Sequence, residues 1–204
     1  SNVQEAKDVT KYVFEFSEKY ETPVLLRTVT RLSHTRGSVV YGEMLKFKVK
    51  GEFLRDPKRW VVIPAHARVR REVMVKRWGR ILKAVDDVPF NRFKSSGSDV
   101  TIIASGLAYS YVVEALKMLK VYDDVNLLKL ATPVPLPRRL LYDALKRSSR
   151  VLVVEELEPI VEYEVKRLAY EWGLNIKIHG KDILPRYHEF NVDIVKKGLS
   201  EVIN

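Results

Sequence analysis

Cysteine is absent from the chain, and its absence removes a whole class of chemistry. Without a thiol there is no disulfide framework, no zinc–thiolate site and no iron–sulfur cluster ligated by these residues. Histidine is nearly as scarce: His66, His179 and His188 are scattered, with no carboxylate or nucleophile partner evident in sequence. No apolar run approaches the length of a membrane span and no secretory segment opens the chain, so a cytoplasmic location is expected, with no membrane partner. The spaced glycines of a dinucleotide fingerprint, the Walker lysine, Gly-x-Ser-x-Gly and HExxH are all missing. By motif the chain has no catalytic constellation and no metal site of its own.

What is there is a charge-rich chain with enough apolar residues for a packed core. Of 204 residues, 46% are apolar and 30% charged, and 36 basic against 26 acidic side chains leave a net charge of +10. That excess attracts nucleic acid, acidic proteins or phosphorylated cofactors. Both signs alternate along most of the chain, which favours a solvated, thermophile-like surface instead. The stretch "HARVRREVMVKRWGR" is basic, but no recognition module for DNA or RNA accompanies it. Trp78 falls on its apolar stripe, so nucleic-acid binding is not expected.

Periodicity organises the chain unevenly. Ala6, Val9, Val13, Phe16 and Tyr20 fall at helical spacing over residues 4–20, and a strand is expected at 23–29. Lys46, Lys48 and Lys50 alternate with Phe47 and Val49 as in an exposed strand, and "GEFLRDPKRWVVIP" reads as a connecting arm. Pro64 opens a long helix over 65–87, with Met74, Trp78, Ile81, Leu82 and Val85 on one face. From residue 98 strands and helices alternate. Strands lie in "SDVTIIASG", "VNLLKLATPVPLP", "RVLVVEEL" and "NIKIHG". Helices lie at 107–120, in "PRRLLYDALKRS", in "PIVEYEVKRLAYEW" with Gly173 as its stop, and at 191–203. That alternation predicts an α/β fold of three α/β/α layers around a mostly parallel sheet.

Three places hold candidate chemistry. "TPVLLRTVTRLSHTRG" crowds Arg27, Arg31, Ser33 and His34 behind an apolar run, as at a strand's carboxyl end. Ser105-Gly106 lies where a strand becomes a helix, a common anion position, although close helix–strand packing also explains the glycine. Glu155, Glu156 and Glu158 could bind metal or serve as acid and base. They also fit a solvated strand end with Glu158 near the positive end of the next helix.

Seven phrases in order resemble one family: "ETPVLLRTVTRLSHTRG", "GEFLRDPKRWVVIPAHAR", "PFNRF", "VTIIASGLAYSYVVEAL", "LKLATPVPLP", "VLVVEELEPIVE" and "ILPRYHEFNVDIV". They look like the middle of the α subunit of archaeal-type indolepyruvate ferredoxin oxidoreductase, from about residue 4 onward. The resemblance implies a 2-oxoacid oxidoreductase that uses thiamine diphosphate, Mg2+ and 4Fe–4S clusters for oxidative decarboxylation to acyl-CoA. It implies residues 1–37 as the tail of a pyrimidine-binding thiamine domain and 38–97 as an arm and long helix. It implies 98–204 as a transketolase C-terminal-like domain.

The implied partners are the remainder of the α subunit, a β subunit, ferredoxin and coenzyme A. The family's activating glutamate, its Gly-Asp-Gly and asparagine segment and its cluster cysteines have no counterpart here. The expectation is a structural and assembly piece, inactive alone and binding no cofactor alone. It would be either part of a longer subunit or a separate component. Arg27, Arg31, Ser33 and His34 match the family phrase and would form a substrate edge or an interdomain latch. The alternative is an anion-binding module that meets coenzyme A or a partner subunit through its basic surface, because arginine's planar fork suits carboxylate and phosphate.

Overall fold

The computed structural model describes residues 2–43 and 51–203, so the Lys46, Lys48 and Lys50 alternation lies outside the described residues. The chain divides into two compact units, Asn2–Ile81 and Leu82–Asn204.

The first unit is helical. In α1 (Val3–Tyr20) the Asn2 side chain accepts the Glu5 N–H at 2.9 Å, a conventional N-cap, and Glu21 ends the helix in the left-handed region. A single turn, α2 (Thr30–Ser33), follows. Another, α3 (Pro57–Trp60), starts on Asp56, whose carboxylate accepts the Arg59 N–H at 3.2 Å. Then comes α4 (Pro64–Ala84), whose last residues enter the second unit. Polar ties hold these pieces together. The Glu21 carboxylate accepts from Arg59 and Arg77, both at 3.1 Å, and the Gln4 side chain accepts the Val40 N–H at 2.7 Å.

Two expectations fail in this unit for the same reason. Residues 23–29 form no strand, and Leu25 is 90% exposed. A strand is made by a hydrogen-bonding neighbour, and every strand of the one sheet found among the described residues comes from residues 92–179. Likewise Met74 and Trp78 stand about half exposed, and only Ile81 and Val85 of the expected stripe are buried. An apolar stripe is buried only where another surface meets it.

The second unit follows its periodicity. After a 3-10 turn at Val85–Asp87 come β1 (Arg92–Lys94), β2 (Val100–Ser105), α5 (Gly106–Met118), β3 (Asn126–Leu130), α6 (Arg138–Leu145), β4 (Arg150–Val154), α7 (Ile160–Glu171), β5 (Lys177–His179) and α8 (Val192–Ile203). The sheet order is β1-β3-β2-β4-β5. Four strands are parallel, and β1 runs antiparallel to β3 with Phe93 opposite Leu128. Three residues with two charges carry no strand signal, which is why β1 is not apparent in the sequence.

Side chains alternate across the sheet. Ile102, Leu127 and Leu152 face α5 and α8, where they meet Val112, Leu116, Val195 and Leu199. Ile103, Leu128 and Val153 face α6 and α7, meeting Leu141, Leu145, Val165 and Leu168. The fold is therefore three layers, with β2 covered on both faces. No described helix is long and apolar enough to cross a membrane.

The two units should answer truncation differently. Leu152→Ala, at a fully buried site, should cost about 2–5 kcal/mol in urea unfolding. Leu25→Ala should stay within about 0.5 kcal/mol.

Candidate functional site

The sheet positions a site by its winding. From β2 the chain passes through α5 on one face to β3, and from β4 through α7 on the other face to β5. The carboxyl ends of β2 and β4 therefore flank the point where the winding reverses, the usual ligand crevice of open α/β sheets. Ala104 pairs with Val154 in register, so Ser105 and Glu155 stand side by side just beyond the last pair.

Ser105 is the N-cap of α5, yet its side chain makes no capping hydrogen bond. Gly106 follows at φ +52, and a Cβ there would meet nothing within 4 Å. The glycine is thus demanded by its backbone angle and not by close helix–strand packing, which corrects one reading of the sequence.

Glu155 has a different duty. It is 8% exposed, and its two oxygens accept the N–H groups of Val161 and Glu162 at 2.9 and 2.8 Å. Glu155, and not Glu158, therefore satisfies the first turn of α7, whose own N-cap, Pro159, makes no side-chain cap bond. Glu158 instead pairs with Arg186 at 2.8 Å, and Glu156 accepts the Phe190 N–H at 2.7 Å. All three carboxylates are engaged in holding loops. Among the described residues no group of three His, Cys, Asp or Glu side chains is placed to hold a metal ion.

A second buried carboxylate completes the arrangement. Glu162, 4% exposed, pairs with Lys166 at 2.6 Å and accepts the Lys181 N–H at 2.8 Å. It fits because residue 180 is glycine: a Cβ there would fall 2.1 Å from the Glu162 Oε2. The Lys181 ammonium donates to the backbone carbonyls of Glu155 and Pro185 and lies over the Phe190 ring. Burial pushes the Glu155 carboxyl above its ordinary value, against the opposing pull of the two N–H donors and Lys181. Burial also lowers the Lys181 ammonium, against Glu155 and Glu162.

His179 does have a carboxylate partner, contrary to the sequence reading. Its Nδ1 lies 2.6 Å from Asp182 three residues on, and Asp182 also accepts the Gly180 N–H at 2.7 Å. Burial raises the Asp182 carboxyl, but these bonds outweigh it and the net shift is downward. The pair closes the turn after β5.

The other predicted residues lie in the first unit. Arg27 is exposed in chain without regular secondary structure, Arg31 and Ser33 are in the turn of α2, and His34 follows it. Thr28 and Ser33 share a hydroxyl hydrogen bond of 3.0 Å, and Thr35 binds the Arg31 carbonyl. The local hydroxyls thus satisfy the loop itself.

Comparison with known proteins agrees with this architecture. Residues 91–175 match the family model for the transketolase C-terminal domain. The chain is 45% identical over 217 residues to the indolepyruvate oxidoreductase subunit IorA of Thermococcus kodakarensis, covering 100% of this chain and 33% of the relative. The IorA of Pyrococcus abyssi gives the same figures. That of Archaeoglobus fulgidus is 36% identical over 206 residues, covering 100% of this chain and 32% of the relative.

A solved 2-oxoglutarate:ferredoxin oxidoreductase from Magnetococcus marinus, with 2-oxoglutarate, coenzyme A and succinyl-CoA bound, shares the fold. Its TM-score is 0.51 at 16% identity, over 70% of this chain and 24% of that one. The chain spans about a third of the length of the curated relatives it matches. The seven-phrase resemblance and the transketolase C-terminal-like fold class both hold.

Removing the Glu155 carboxylate should be costly. Glu155→Ala leaves two N–H groups of α7 without an acceptor in a buried place and should cost about 2–3 kcal/mol of unfolding free energy. Glu155→Gln should cost less, because one oxygen remains. Since the folded state raises this carboxyl, its contribution is fully present below the ordinary value of 4.5 and is lost as pH rises through the raised value. Urea midpoints measured across mild acid should show that slope in the wild type and not in Glu155→Gln.

Proposed function

We propose that this chain, similar along its whole length to a third of the IorA subunit, is a structural and assembly part of an indolepyruvate:ferredoxin oxidoreductase α subunit. Residues 98–204 serve as its transketolase C-terminal-like domain and 38–97 as a connecting arm and helix. Residues 1–37 are the end of a pyrimidine-binding thiamine domain completed by other residues. The assembled enzyme oxidatively decarboxylates an aryl 2-oxoacid to its acyl-CoA in the cytoplasm, with ferredoxin as electron acceptor and a β subunit as partner.

One observation carries this reading: no described residue between Asn2 and Arg80 is buried. The same stretch exposes Leu25, Phe53, Val62 and Trp78. Apolar surface of this extent marks an interface.

Thiamine diphosphate and iron–sulfur clusters, when bound in the whole enzyme, supply carbanion stabilisation and electron transfer. The residues of this chain do not fit either group. There is no cysteine, and the carboxylates beside the sheet's switch point are spent on backbone N–H groups and Arg186. Their role is to keep α7 and the loop after β5 rigid against β4. Arg27, Arg31, Ser33 and His34 act as an interdomain latch in this reading.

The isolated chain, supplied with thiamine diphosphate, Mg2+, coenzyme A and ferredoxin, should give no indolepyruvate oxidation above background. Coexpressed with the remaining parts of the enzyme, it should copurify with them. Turnover by the chain alone, or failure to copurify, contradicts the proposal. Calorimetry against coenzyme A should show no heat. Binding that disappears in Arg27→Glu or Arg31→Glu would favour an anion-binding module instead.

A further inference from the structure

The connector between α3 and α4 and the first turns of α4 enclose a hollow of about 320 Å3. Its helical wall is one face, because Arg70, Arg71 and Met74 lie three, four and seven residues beyond Ala67. Val61 and Val62 of the connector also line it, and Val62 is 88% exposed. Arg59 closes one side but already pairs with Glu21. Arg70 and Arg71 have no ion-pair partner among the described residues. An apolar floor rimmed by two available guanidinium groups matches the pattern of a binding hollow.

We propose that this hollow docks an acidic segment of a partner subunit, seating one apolar side chain against Val62 and Met74 with carboxylates on Arg70 and Arg71. The inference rests on the assembly reading and names the chemistry of one contact within it.

Charge complementarity selects the occupant. Along α4 the sole acidic residue is Glu72, against Arg68, Arg70, Arg71, Lys76, Arg77, Arg80 and Lys83. Among the described residues Arg77 alone of these cations has an ion pair. A second copy of the chain would bring the same net charge of +10 against this helix. A nucleic acid would supply phosphates, but no Trp, Tyr or Phe lines the hollow to stack on its bases, and the one ring there, His66, has its Nδ1 3.1 Å from the Val61 carbonyl. A lipid surface calls for an apolar face opposite a basic one, whereas Val69, Met74, Val75 and Trp78 are exposed among the arginines on several sides of α4. A carboxylate beside an apolar residue satisfies both halves of the hollow at once, and the seated apolar side chain strengthens the Arg–carboxylate bonds by displacing water.

The test is fluorescence anisotropy of the whole chain with a short fluorescein-labelled peptide of alternating Glu/Asp and Leu/Phe. Binding should weaken with salt and fall about tenfold or more in Arg70→Glu, and again in Val62→Asp. Lys197→Glu, at an exposed position of α8, should bind as the wild type does. A control peptide with Gln/Asn in place of Glu/Asp, and one with Ala in place of Leu/Phe, should each bind about tenfold more weakly than the parent.

Equal binding of the neutral peptide, no effect of Val62→Asp, or tighter binding of polyuridylate or phosphatidylglycerol vesicles would each overturn the proposal. So would peptide-independent dimerisation in sedimentation that Arg70→Glu abolishes. Copurification with the other enzyme parts is measured separately, so failure here leaves the assembly reading to stand or fall by its own experiment.

Discussion

Burial of β2 on every side is the constraint from which the second unit follows. A strand reading Val-Thr-Ile-Ile-Ala cannot face water on either surface, so it takes a parallel neighbour on each edge and a helical layer on each face. With β3 on one edge and β4 on the other, the winding must reverse between β2 and β4. That reversal sets Ser105 beside Glu155 and brings the first turns of α5 and α7 to the same end of the sheet. The buried charges then have work to do: Glu155 accepts from α7, Glu162 from the turn after β5, and Lys181 ties that turn to two backbone carbonyls.

The first unit has no equivalent constraint satisfied within it. Its helices are capped and joined by ion pairs, above all those of Glu21 with Arg59 and Arg77, but none of its described residues before Ile81 is buried. Partly exposed ion pairs of this kind contribute little stability in water. The unit therefore reads as half of an interface. It exposes an apolar segment at Val24–Leu26 and a basic helix with an apolar hollow, both suited to surfaces supplied by other polypeptide. Relatives roughly three times as long fit that account.

How much was legible in the sequence depended on whether burial is completed within the chain. From residue 98 on, periodicity locates every helix and all four strands, and only β1, before that point, escapes it, because the alternation that a sequence displays is the alternation that these layers bury. Before that point the same logic misled. Val24-Leu25-Leu26 has strand composition without a neighbouring strand, and Met74 and Trp78 have stripe spacing without a second surface. The carboxylates were visible as a group, but their duties were not. Glu155 and Glu162 act on backbone N–H groups up to nineteen residues away, and only the sheet's topology brings these together. The signal that existed was a glutamate directly after a fully apolar strand, followed by a helix that starts on proline. His179 and Asp182 were separated by a spacing that a turn closes, which a search for catalytic motifs passes over.

The central claim is that the apolar surface of the described residues between Asn2 and Arg80 is completed by polypeptide outside this chain. Amide hydrogen exchange at Val24, Leu25 and Leu26 tests it most directly, comparing this chain alone with the same residues in the assembled oxidoreductase. The account predicts near-unprotected exchange in the chain alone and slowing by about a hundredfold or more in the assembly, as for a strand gaining its neighbours. Equal exchange in both states would contradict it.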